Sequence, residues 1–90
     1  MGFEKKQAVF TYVLSGTTLT ITEEDGITAV ALKLTAGAGN YFGNKNIKTV
    51  SSSPISLAVN EPVTISSEQT KYIDELTIDA SAGTIEIIAR

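Results

Sequence analysis

A period of two runs through this chain almost from end to end, and it restricts the fold more than any other feature. In Thr17, Thr18, Leu19, Thr20, Ile21 and Thr22 the apolar residues alternate with threonines, which places Leu19 and Ile21 on one face of a half-buried strand. The same alternation sets Val30, Leu32 and Leu34 against Ala29, Ala31 and Lys33 in a strand from Ile27 to about Thr35. It returns in Ile55, Leu57 and Val59, in Val63 and Ile65, in Leu76 and Ile78 within Tyr72 to Asp79, and in Ile85 and Ile87 within Thr84 to Ile88. Residues 7–14 differ. There Val9, Thr11 and Val13 face one way and Phe10, Tyr12 and Leu14 the other, so both faces are apolar, as in a strand covered on each side or meeting a partner.

Turn residues separate these runs. Ser15 and Gly16 supply one turn, and Glu24, Asp25 and Gly26 carry the strongest hairpin signal, because Asp-Gly accepts the positive φ of a tight turn. The stretch from Ala36 to Asn46 breaks the alternation with glycines and asparagines and reads as a loop or a bulged edge strand. A short strand is expected at Ile47 to Val50, and Ala80, Ser81, Ala82 and Gly83 read as the last turn. The expectation is an all-β domain over residues 7–90 with an arm at 1–6: an antiparallel β-sandwich or small jelly roll of seven to eight short strands, with a small β-barrel as the alternative. The predicted core is Leu19, Ile21, Val30, Leu32, Leu34, Leu57, Val59, Ile65, Leu76, Ile78, Ile85 and Ile87.

Composition narrows the chemistry. The 90 residues include no His, no Cys and no Trp, which removes the commonest general base, the usual nucleophile pairs and the soft metal ligands. No enzyme activity, cofactor or metal is expected. Seven basic residues spread along a chain of net charge −3 make no nucleic-acid surface. The apolar stretches are far shorter than the roughly 20 residues of a membrane-spanning helix, and the charged start at Glu4, Lys5 and Lys6 leads into no signal-peptide pattern. Gly2 carries no myristoylation signal, since Lys6 occupies the position of the required Ser or Thr. At this length only about 60–65% of the unfolded surface is buried on folding, so association would widen a narrow stability margin.

Candidate sites divide accordingly. Glu23, Glu24 and Asp25 lack the alternating spacing of a calcium loop and read as a solvated turn. Asp74, Glu75, Asp79 and Glu86 fit exposed positions on a sheet better than a glycosidase carboxylate pair. Gly37, Gly39 and Gly43 miss the dinucleotide fingerprint because Phe42 stands where its third glycine belongs. Ser51, Ser52 and Ser53 have no imidazole to activate them. Thr18, Thr20 and Thr22 form one ladder, where an ice-binding surface needs several. Tyr41 and Phe42, framed by Gly and Asn, have the composition of a contact surface, or else fold back to cap the core. With Asn44 and Ile47 of the same segment, and Phe3 isolated among charges in the arm, they are the candidate partner-binding residues.

Beyond these residue-level readings, the run from Ser53, Pro54 and Ile55 through Thr84, Ile85, Glu86, Ile87 and Ile88 resembles small β-sandwich virion proteins of tailed bacteriophages. The Ile55 to Val59 strand, the Glu61 to Ile65 strand and the Asp79 to Thr84 turn carry that likeness, which covers the C-terminal half. It implies a capsid decoration, head-fibre or tail-adaptor protein made in the host cytoplasm and found in the virion. It also implies a homo-oligomer, with a trimer favoured, bound to a larger capsid or tail protein. The alternative is a monomeric carbohydrate-binding module using Tyr41 and neighbouring Asn residues.

Overall fold

A computed structural model of the chain describes residues 10–43, 53–67 and 72–90. The arm at 1–6 and the strand expected at Ile47 to Val50 lie outside them. The described residues form β1 (Phe10–Ser15), β2 (Thr18–Thr22), a 3-10 turn (Glu23–Asp25), β3 (Ala29–Gly43), β4 (Ile55–Ser56), β5 (Val63–Ser66) and β6 (Glu75–Ala89). All pair antiparallel in one sheet, so the chain is all-β as its periodicity indicates. The order is β1-β6-β3-β4, with β2 also on β6 and β5 also on β3. Six strands lie among the described residues, where the stretch read as a loop or bulged edge strand and the last expected turn are both part of strands. Ala36–Gly43 continues β3, and Ala80–Gly83 continues β6.

The long strands are sharply bent. Ile73, just before β6, donates its N–H to Ile27 O at 2.8 Å, while Thr28 donates its own to the carbonyl of Arg90, just after β6, at 2.7 Å. An unbent strand of that length would hold Ile73 and Arg90 roughly 55 Å apart. The sheet therefore folds back over itself, and its two halves enclose one core. β1, the end of β6, the start of β3 and β5 form one half; β2, the start of β6, the end of β3 and β4 form the other.

Two bulges make the corner. Leu34 pairs with Ile85 and Ala36 with Thr84, which leaves Thr35 as an extra residue on β3; Ala38 pairs with Ala82 and Asn40 with Asp79, which leaves an extra residue on β6. A bulge bends its strand and reverses which parity faces inward. Accordingly Val30, Leu32 and Leu34 are buried before the corner and Tyr41 after it, and Leu76, Ile78 and Ala80 give way to Ile85, Ile87 and Ala89.

The Asp25-Gly26 signal marks a real reversal, with Gly26 at φ 67 and Thr22 N–H donating to Asp25 Oδ2 at 2.8 Å. It does not close a hairpin. β2 and β3 lie on opposite edges of β6, so the turn carries the chain from one edge to the other. Ten of the twelve predicted core residues are buried and Leu19 packs partly against them. Val59 is the exception at 47% exposed, because β4 ends at Ser56 and the following segment meets Leu34 only through an isolated parallel bridge.

Candidate interaction edge

β1 lies along the outer edge of β6, in the register Phe10 to Ala89 through Ser15 to Thr84. Which of its backbone groups are paired follows from the ladder. Ala29 and Arg90 exchange both hydrogen bonds, at 3.0 and 2.9 Å, so even-numbered residues at this end of β6 turn their N–H and C=O toward β3. Ala89, Ile87 and Ile85 then turn theirs toward Phe10, Tyr12 and Leu14. Gly16, two residues further on, fits the same alternation by donating to Gly83 O at 3.3 Å, and it shares that N–H with Ala80 O at 2.9 Å. The backbone groups of Thr11, Val13 and Ser15 therefore point away from the sheet, and no strand among the described residues pairs with them.

The side chains beside this edge are apolar and exposed. On the outer face Thr11, Ile88, Ala31 and Thr64 form one row across four strands, and Val13, Glu86 and Lys33 form the next. Val13 is 67% exposed and Ile88 is 48% exposed. A shallow dish of about 260 Å³ opens over Ala29, Ala31 and Thr64 between Ile88 and Arg90. Tyr12 is on the inner side but 51% exposed, at the mouth of a cleft of about 100 Å³ shared with Leu19, Ile21, Ile27 and Ile87. Native edge strands are usually protected by Lys, Pro, a bulge or short length. β5 follows that rule, being four residues long and entered from Glu61 and Pro62. β1 has six residues and no charge or proline.

Tyr41 and Phe42, singled out from sequence, are not at this edge. Tyr41 is 6% exposed and belongs to the core, so its ring is not a contact surface. Phe42 is half-buried opposite Thr77. Phe3, Asn44 and Ile47 lie outside the described residues. The carboxylates separate as well: Glu75 and Asp79 pair with β2, whereas Glu86 lies in the other half-sheet opposite Val13 and Lys33. Among the described residues no group of three or more acidic side chains is placed to hold a metal, and no helix is long and apolar enough to cross a membrane. The edge had one signal in the sequence, the apolar character of both faces of residues 7–14.

One polar cluster sits at the corner. The Ser81 hydroxyl holds the Asp79 carboxyl below its ordinary pKa, helped by the Ser81 N–H at 2.9 Å from Oδ1 and by the Asn40 side chain, against the opposing effect of burial. Asn40 Oδ1 is buried without a hydrogen-bond partner among the described residues. These contacts brace the bend.

Comparison with protein-family models, curated proteins and solved structures finds no match to this chain.

Proposed function

We propose that this chain is a non-enzymatic structural module that joins protein surfaces, as an oligomer of its own copies bound to a larger protein of a phage-like particle. The observation that carries this reading is the β1 edge. Thr11, Val13 and Ser15 present backbone donors and acceptors beside exposed Val13, Tyr12 and Ile88, with no charge or proline to repel an added strand. A strand laid there would gain main-chain hydrogen bonds together with apolar contact on both faces.

The particle context rests on the resemblance in residues 53–65 and 79–88. A non-catalytic role is supported by a chain without imidazole or thiol. The carbohydrate-binding alternative loses its motivating feature, since Tyr41 offers no exposed ring for a sugar to stack on. Recovery of the protein under native conditions from its source tests the proposal. The expected result is a stoichiometric complex that the wild type joins and Val13→Pro does not. A free monomer, or a complex that Val13→Pro joins equally well, would overturn it.

A further inference from the structure

We infer that the strand completing the β1 edge is β1 of a second copy, antiparallel and centred on Val13, so that Val13 faces its own counterpart across a twofold axis. The inference rests on the edge reading above and names the partner. A twofold axis normal to the sheet keeps outer faces outward, so opposed residues must have the same parity and the axis must pass midway between two copies of one residue. Within β1 that residue is Tyr12 or Val13.

The alternation of the ladder chooses between them. The outward groups belong to Thr11, Val13 and Ser15, and Val13 is the middle one. Centring there opposes Val13 to Val13 and Thr11 to Ser15 in hydrogen-bonded pairs, so every outward N–H and C=O of β1 gains a partner. Tyr12 then faces Leu14 of the other copy, which covers an exposed ring with a half-buried apolar side chain. A Tyr12-centred register pairs Thr11 with Val13 but gives Ser15 no partner among the described residues of β1.

Charge and length favour the same partner. No side chain of β1 is charged, and the two copies of Glu86 would lie one strand behind it, about 14 Å apart across three strand spacings. That exceeds the screening length of about 8 Å at physiological salt. A head-to-tail ring, the route to a trimer, would seat β1 on a different edge, such as that of β5. That strand offers only Thr64 and Ser66 outward along four residues entered from Pro62. The twofold pair takes the place of the expected trimer.

Because the chain has no cysteine, single-cysteine variants report the register directly. Under mild oxidation Val13→Cys is expected to form disulfide dimers at least about tenfold faster than Tyr12→Cys or Ser15→Cys. A mixture of Thr11→Cys and Ser15→Cys should cross-link as a heterodimer. Light scattering across a dilution series should show a wild-type dimer that dissociates, and monomeric Val13→Pro with an unchanged β circular dichroism spectrum, since the N–H lost at residue 13 is an outward one. Val13→Lys replaces it should the proline variant unfold. Equal cross-linking rates, fastest reaction at Tyr12→Cys, a trimeric mass, or a monomer at every concentration would overturn self-pairing. If the isolated chain is monomeric while the native complex still excludes Val13→Pro, self-pairing alone has failed; if the complex accepts Val13→Pro, the edge reading has failed too.

Discussion

Gly37 faces Gly83 across the β3–β6 ladder, and neither position has room for a methyl group. A Cβ on Gly83 would lie 2.5 Å from the carbonyl oxygens of both Ala36 and Ala38, and one on Gly37 would lie 2.7 Å from Gly83 Cα. The obstacles are backbone atoms on the opposed strand, which no rotamer change relieves. Close approach of two bare backbones is thus what permits both long strands to bend at one place.

Gly83→Ala should therefore cost about 3 kcal/mol, the upper part of the overpacking range, and lower Tm by roughly 12–24 °C in a domain of this size. Gly26→Ala is the contrast. Its φ of 67 penalises a side chain, but nothing lies within 4 Å, so the loss should be about 1 kcal/mol. Urea denaturation of the two variants decides, and equal stability would contradict the account of the corner.

Leu32 and Val59 separate core from periphery. Leu32 is fully buried and Leu32→Ala should lose about 2–5 kcal/mol, whereas exposed Val59→Ala should stay within about 0.5 kcal/mol of the parent. Denaturation midpoints check both.

Tyr41→Ser should act on stability. Removing its buried ring should cost about 3 kcal/mol and leave a loosened core, detectable in the denaturation midpoint before any binding is measured. A Tyr41→Ser protein as stable as the parent would restore the contact-surface expectation.

Acid should weaken the corner through Asp79. Its folded-state pKa lies below the unfolded value of 3.8, so its contribution is complete above that value and is lost as pH falls through the lower, folded-state one. Thermal unfolding between pH 5 and pH 2, run with Asp79→Asn, measures it. The parent should lose more stability on acidification than the variant, and parallel curves would refute the assignment.

Much of the core was legible because alternation is a local property. Once Leu32 and Lys33 occupy an extended backbone, their side chains lie on opposite faces whatever else the chain does. Parity at the bulges was not legible. Tyr41 belongs to the buried set only because Thr35 is an extra residue on β3, and residue types alone do not say that Thr35 lacks a partner. The edge was half visible: both faces of residues 7–14 are apolar in sequence, yet which backbone groups remain open depends on the pairing of β6.

The sequence by itself determined the strand character, the inward-facing sets within each straight segment and the positive φ at Gly26, all consequences of steric rules acting over a few residues. Tertiary structure decided whether Ala36–Gly39 and Ala80–Gly83 end strands or bend them. A glycine-rich segment becomes a turn when the chain leaves its partner and a bulged corner when a partner stays opposite. Gly37 has that partner in Gly83, brought there by the β3–β6 pairing rather than by any neighbouring residue. The Asp25-Gly26 reversal is alike: its local geometry is intrinsic, but whether β2 and β3 pair depends on β6, which lies between them and takes the hydrogen bonds of both.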